Sequence, residues 1–161
     1  MSVRSGIGYD SHRFVTGRRL VLGGVEIEGA ERGLAGHSDA DVLTHAVIDA
    51  LLGAAGLGDI GSHFPDTEEA WRDADSIGLL GRVRALLGDR GLRVLHVDAT
   101  VICEAPKLTP HASAMRARLA DAMGTQSDSV NVKLTTNEGM GFIGRGEGVA
   151  ALAVATIADE G

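Results

Sequence analysis

Asp10 and His12 stand two residues apart in a stretch that reads as extended, so both side chains leave the same face. His45 falls in the segment whose apolar spacing marks the first helix. One carboxylate and two imidazoles are a normal donor set for Zn²⁺ or a similar ion, and three protein ligands leave a fourth position open to substrate. The same residues also suit a surface Asp-Ser-His loop and a half-buried helix histidine, and spacing alone leaves both readings open. Asp41 and Asp49 lie four residues either side of His45 and would share its helix face, behind the ligands or as added electrostatic attraction. His37 and Ser38 stand where that helix should open, with free backbone N–H groups and a dipole that favour an anion. The plainer alternative is that Ser38 only caps the helix while His37 is solvated.

Lysine is scarce. Thirteen arginines take the ordinary surface roles and leave only Lys107 and Lys133, each a candidate for work that needs a compact ammonium. Lys107 precedes a helix start, and Lys133 precedes Thr135, Thr136, Asn137 and Glu138, a cluster suited to phosphate. Residues 59–72 form a loop long enough to suggest a function, with Asp59-Ile60-Gly61 and Phe64-Pro65-Asp66-Thr67-Glu68 inside it. A turn-forming or helix-starting role is the simpler reading of Asp66. Phe142 and Arg145 sit on a glycine frame over 141–148 that could line a pocket or only make a tight turn. Neither a G-x-x-x-x-G-K-[ST] loop nor a G-x-S-x-G elbow occurs, which argues against P-loop hydrolysis and serine-triad acyl transfer.

These residues must be positioned by a chain of 161 residues, the size of one domain with one core. With 3% aromatic residues, the core must be built from Ala, Val, Leu and Ile. A net charge of -7 without a long basic run speaks against nucleic acid and anionic membrane surfaces as partners. The single cysteine, Cys103, excludes an intrachain disulfide and reads as a small buried hydrophobe. The opening ten residues lack an apolar signal core and no run is long enough to span a bilayer, so a soluble cytoplasmic protein is expected.

The pattern predicts an extended segment over 3–12, a hairpin at 20–27 turning on Gly23-Gly24, and a glycine-bearing loop over 29–37. Helices are expected from Ser38, with Asp41 at the third position of a capping box, then over about 75–90, then from an N-cap at Thr109 with Pro110 following. Residues 93–103 alternate as a half-buried strand with Leu95, Val97, Ala99, Val101 and Cys103 inward, and 130–135 alternate likewise. Residues 148–158 are apolar nearly throughout, as a strand buried on both faces would be, one face under another subunit. The expected class is α+β: one mixed four-stranded sheet backed by helices, plus a small β-hairpin.

Taken together, the motifs resemble the 2-C-methyl-D-erythritol 2,4-cyclodiphosphate synthase family of the non-mevalonate isoprenoid pathway. The resemblance runs along nearly the whole chain: Gly8-Tyr9-Asp10-Ser11-His12, Ala35-Gly36-His37-Ser38-Asp39-Ala40-Asp41, His45, Asp49 to Ala55, Gly58-Asp59-Ile60-Gly61, His63-Phe64-Pro65-Asp66-Thr67, Ala105-Pro106-Lys107-Leu108, Val130-Asn131-Val132-Lys133, Thr135-Thr136-Asn137-Glu138 and Gly141 to Gly148. It implies conversion of 4-diphosphocytidyl-2-C-methyl-D-erythritol 2-phosphate to the 2,4-cyclodiphosphate with release of CMP, in homotrimers whose active sites lie between subunits. It implies a zinc-like ion on Asp10, His12 and His45 that grips the β-phosphate, and a second ion, magnesium or manganese, that bridges the diphosphate. It gives His37 and Thr136 the orientation of the reacting phosphates, with Ser38 beside them. It gives Asp59, Ile60, Gly61, Phe64, Pro65, Asp66, Thr67 and Glu68 the methylerythritol part. Ala105, Pro106, Lys107, Leu108 and Thr109, with Lys133, Thr135, Thr136, Asn137 and Glu138, fall to the cytidine and phosphate side. Phe142 and Arg145 fall near the substrate phosphate and the trimer axis. Asn137 stands where many members carry Thr or Ser, and Leu152 where some carry a polar residue near that axis. The length implies the synthase domain alone, without the cytidylyltransferase domain that some homologues carry. Two rival readings are a metal-dependent phosphohydrolase that uses metal-bound water, and a non-catalytic trimeric module that binds metal or isoprenoid phosphate.

Overall fold

Glycine and alanine on facing surfaces decide how the core assembles. A computed structural model describes residues 1–161. β1 (Val3–Thr16) pairs antiparallel with β7 (Gly148–Asp159), and β7 pairs antiparallel with β5 (Leu92–Ile102). On the inner face these registers align Gly8 with Ala153 and Ala153 with Ala99. α1 (Val42–Ala55) lies over that row of small residues. A Cβ on Gly8 would stand 1.9 Å from the Ala46 carbonyl oxygen, and one on Gly6 would stand 2.3 Å from that of Ala50. The helix backbone therefore rests on the strand backbone, and only glycine permits that approach. Gly8→Ala is expected to push α1 off β1, which carries His45 away from Asp10. The expected cost is about 3 kcal/mol or more from overpacking against backbone, and a thermal melt with a parallel assay of bound metal checks both effects.

The sheet has five strands, in the order β4-β1-β7-β5-β6, rather than the expected four. The extra strand, β4 (Arg32–Leu34), comes from the segment read as a loop and pairs antiparallel with Phe14–Thr16 at the end of β1. Three residues around a glycine carry no readable alternation. Gly33 is required there, because a Cβ would meet the Arg19 and Arg18 carbonyl oxygens at 2.4 and 2.5 Å. β6 (Val130–Thr135) runs parallel to β5, which makes the sheet mixed. The hairpin at Gly23-Gly24 forms as expected, from β2 (Val21–Leu22) and β3 (Val25–Glu26), with both glycines at positive φ.

α1 begins at Val42, not after Ser38. Its N-cap is Asp41, fully buried, whose carboxylate accepts from the backbone N–H and hydroxyl of Thr44 and from the N–H groups of Gly23 and Gly24. Asp41 wins the cap over Ser38 because it also holds the hairpin turn. Burial pushes its carboxyl pKa up, against the hydrogen bonds from Thr44 and Gly24. Every α1 residue except Asp49 and Gly53 is buried, so α1 is a central helix rather than a surface one with a single stripe.

α3 (Ser76–Gly88) and α4 (Ala112–Met123) complete the helical layer. The expected start at Thr109 is a 3₁₀ turn, Thr109–His111, before α4 proper. In β5 a register shift between Val94 and His96 buries Val94 and turns Leu95 partly out, correcting the simple alternation. Short helices α2 (Ile60–His63) and α5 (Gly141–Gly144) stand in the loop expected over 59–72 and in the glycine-rich stretch over 141–148. The other face of the sheet carries no helix: Ile7 and Tyr9 on β1, and Leu152 and Val154 on β7, are between 40% and 69% exposed. β7 is thus buried on its helix side and bare on the other in a single chain. No helix is long and apolar enough to cross a membrane.

Candidate metal centre

Asp10 and His12 leave β1 on its helix-facing side, and α1 brings His45 down onto them. Asp10 Oδ2 lies 2.9 Å from His12 Nε2 and 3.0 Å from His45 Nδ1. The ligand atoms of the three residues all lie within 4.8 Å of one another. His12 Nδ1 stands 2.7 Å from the Ala35 carbonyl, which can only accept, so that nitrogen carries the proton. In the neutral ring His12 Nε2 then keeps its lone pair, on a buried atom that faces Asp10 Oδ2 and has no donor to bond it. An orphaned imidazole nitrogen beside a carboxylate and a second imidazole fits a divalent cation of zinc type. The electrostatics agree. Burial raises the Asp10 pKa, but without a metal the hydrogen bonds and charge that His12 and His45 offer when protonated outweigh it and hold the carboxyl at about 2. Burial lowers that of His12, and the Asp10 carboxylate more than compensates, raising it above 6.5.

The centre forms part of the wall of a cleft of about 510 Å³. Asp10, His12, His37, Ser38, His45, Ile60, Gly61, Phe64, Pro65, Asp66 and Thr67 all line it, together with Trp71 and Leu79. No lysine or arginine does. Two residues of the same expected group frame the cleft from outside: the Glu68 carbonyl accepts from His37 Nε2 at 3.0 Å, and Asp59 caps α2 by accepting from Ser62. Those bonds from Ser62 hold the Asp59 carboxyl below its usual range. Asp49 accepts from Ile60 N–H at 2.7 Å, fastening the loop to α1, and it is close enough for its charge to interact with Asp10 and His45. Asp41 is therefore an anchor for the hairpin and Asp49 a tie for the loop; neither hydrogen-bonds a ligand, and of the two expected roles only the electrostatic one, for Asp49 toward His45, is found. His37 and Ser38 precede α1 by several residues, so they offer side chains rather than helix N–H groups. Arg18 fixes them from behind by donating to the carbonyls of Gly36 and Ser38 at 2.6 and 2.5 Å.

A second cleft of about 520 Å³ lies on β5 and β6, beyond β7 from Asp10. Pro106, Lys107, Leu108, Thr109, Thr135 and Thr136 line it with Cys103 and Glu104. It shares no lining residue with the first cleft. Asn137 and Glu138 border it through backbone bonds: Asn137 N–H donates to Glu104 Oε1 at 2.7 Å, and Glu138 N–H donates to Thr136 Oγ1 at 3.2 Å. The Ala105 carbonyl accepts from Cys103 Sγ, and burial pushes that thiol up to about 11. Lys133 lines neither cleft. It projects from the bare sheet face and pairs with Asp98 at 2.7 Å. Phe142 and Arg145 also stand apart, with Arg145 paired to Glu147 at 2.7 Å.

The YgbB family matches residues 3–158. The chain belongs to the YgbB family. A relative from Symbiobacterium thermophilum, named 2-C-methyl-D-erythritol 2,4-cyclodiphosphate synthase, is 59% identical over 95% of this chain and 97% of its own. The bifunctional enzyme IspD/IspF of Anaeromyxobacter dehalogenans is 58% identical over 96% of this chain, which spans only 40% of that longer protein. Among solved structures, the Plasmodium falciparum IspF CDP complex superposes with a TM-score of 0.86 at 28% identity, covering 99% of this chain and 98% of the other. These matches place the YgbB chain among relatives that are named as enzymes.

Four contributors to the YgbB site escaped the sequence. Trp71 and Leu79 line the metal cleft, and Ser76 and Asp39 stand behind His45. Asp39 lies within a motif noted above, but its partner is 37 residues away, and Ser76 read only as the start of a helix.

Proposed function

We propose that residues 1–161 act as a single cyclodiphosphate synthase domain. It converts 4-diphosphocytidyl-2-C-methyl-D-erythritol 2-phosphate to 2-C-methyl-D-erythritol 2,4-cyclodiphosphate and CMP, in the cytoplasm, as a homotrimer with an active site at each subunit seam. The observation that carries this reading is the convergence of Asp10, His12 and His45 in a cleft without a single lysine or arginine. A diphosphate cannot settle against Asp10 and Asp66 in such a cleft unless a cation is there first. Asp10, His12 and His45 would hold a zinc-like ion, and that ion together with a second, magnesium or manganese, would supply the missing positive charge and Lewis-acid polarisation of the phosphate.

The chain's own residues do the rest. His37 and Ser38 stand at the cleft wall within reach of phosphate oxygens. Ile60, Gly61, Phe64, Pro65, Asp66 and Thr67 shape the space for the methylerythritol. Lys107, Thr135 and Thr136 meet the cytidine phosphates from the second cleft, with Thr136 and His37 aligning the reacting groups. The substrate's 2-phosphate oxygen bonds to the β-phosphorus while the bond from that phosphorus to the oxygen bridging to the α-phosphate breaks, and CMP leaves with the electron pair. No protein nucleophile is required, so alignment and charge neutralisation are the enzyme's task.

Two features support assembly. The clefts lie on either side of β7 and share no residue, which favours a substrate that takes one cleft from each of two neighbouring subunits. The bare patch of Ile7, Tyr9, Leu152 and Val154 offers apolar surface for that contact. Incubation of purified protein with the diphosphocytidyl substrate tests the reading. CMP and a cyclic diphosphate seen by ³¹P NMR, abolished by a chelator and restored by zinc with magnesium, are expected, and turnover that survives chelation contradicts it.

Zinc affinity should depend on pH in a definite direction. Zinc takes the unprotonated His12 Nε2, whose pKa in the metal-free protein is raised above 6.5 by Asp10. Affinity should therefore be level above that raised value and fall about tenfold per pH unit below it. Chelator competition between pH 5.5 and 8.5 measures the slope, and a flat profile contradicts the assignment of His12 as a ligand.

A further inference from the structure

The hydrogen bonds behind His45 run in one direction only. Ser76 is fully buried at the first turn of α3, and its hydroxyl lies in close contact with Asp39 Oδ1. A carboxylate only accepts, so the single hydroxyl proton of Ser76 goes to Asp39. The same carboxylate takes the Ser76 backbone N–H at 3.0 Å through Oδ2 and the Asp41 N–H at 3.1 Å through Oδ1, which fixes its orientation. The Ser76 oxygen can then face His45 Nε2, 2.8 Å away, only as an acceptor. Ser38 Oγ, 3.2 Å from the same nitrogen, accepts from Ala40 N–H at 3.3 Å and keeps a second lone pair that can also accept from the ring. Because the nearer partner, Ser76, can only accept, His45 Nε2 carries a proton, and in the neutral ring Nδ1, 3.0 Å from Asp10 Oδ2, presents a lone pair.

We propose that Asp39 and Ser76 form a relay that locks the orientation and tautomer of His45, so that its Nδ1 lone pair meets the cation also held by Asp10 and His12. The two imidazoles are thus set by opposite devices: the Ala35 carbonyl holds His12 from Nδ1, and the Asp39–Ser76 pair holds His45 from Nε2. In their neutral forms both rings turn a bare nitrogen onto one carboxylate oxygen, an arrangement of three acceptors suited to a shared cation. Asp39 and Ser76 are positioning residues, since neither lines the cleft. Through them the start of α3 is tied to the metal centre.

The relay rests on the reading of Asp10, His12 and His45 as a cation site, and the test separates the two. Zinc affinity of wild type, Ser76→Ala and Asp39→Asn is measured by chelator competition. The ¹⁵N–¹H signal of His45 Nε2 is followed in the zinc-loaded proteins. Wild type should bind one zinc per chain and show a protected Nε2 proton. Ser76→Ala should bind zinc about 10- to 100-fold more weakly, and its Nε2 proton should exchange with water faster, which a merely structural serine would not cause. Asp39→Asn should weaken zinc binding in the same direction and serves if Ser76→Ala does not fold. Wild-type protein that takes up no zinc overturns the cation site and the relay with it. Wild type that binds zinc, with the variants unchanged in both readouts, overturns the relay alone.

Discussion

Replacing His45 with alanine should lower kcat by about 1,000-fold or more, because losing a cation that stabilises the transition state by several kcal/mol costs about tenfold per 1.4 kcal/mol. The loss should come with empty metal sites and an intact fold. His45 sits inside α1, where alanine is the best helix former. Asp10 and His12 would be left as a simple ion pair on β1, and the packing of Gly6 and Gly8 under the helix would be untouched. Metal analysis, circular dichroism and single-turnover kinetics on one preparation separate these effects. A variant that retains zinc and loses only part of its rate would show that His45 is peripheral to the ion.

The second large effect is a recovery rather than a loss. His45→Ala removes the metal half of a site, and Thr136→Ala removes the half on the second cleft. Each variant alone should be nearly inactive. If every seam combines a metal half from one subunit with a cytidine half from its neighbour, mixed trimers regain seams in which both halves are intact. Random assembly of equal amounts should restore about a quarter of wild-type activity, since each half is sound with even odds. Co-refolding of the two variants, followed by steady-state assay, gives the number. If both clefts served one site within a subunit, no mixture would exceed its parents.

The distance over which a contact acts explains what could be read from the chain. The hairpin at Gly23-Gly24, the helix stop at Gly124 and the alternation of β6 are local, and each appears where the residues place it. The grouping of Asp10, His12 and His45 was legible only in part, because spacing puts Asp10 and His12 on one strand face and His45 on the next long helix but leaves a surface loop and an ordinary helix histidine open. Their approach depends on Gly6, Gly8 and the alanines of α1, a match between elements that no single window contains. Ser38 and Asp41 illustrate a local rule overridden by tertiary structure. Both are good caps, and the choice falls to Asp41 because a hairpin some 17 residues upstream turns two N–H groups onto it. β4 escaped because its pairing with β1 is set by Phe14 and Val15, not by any pattern within Arg32–Leu34. Lys133 was noticed for its rarity, and its ion pair with Asp98 across β5 and β6 gives it a structural partner on the bare face.

In the proposed reaction the substrate supplies its own nucleophile at a metal centre built by Asp10, His12 and His45. Turnover in ¹⁸O-enriched water, with mass analysis of both products, distinguishes this from attack by water. A cyclic diphosphate and CMP that carry no solvent oxygen, formed only while the divalent ion is bound, are expected. An ¹⁸O label in CMP or in a linear phosphate product would mean that water attacks, and the centre would then be that of a phosphohydrolase.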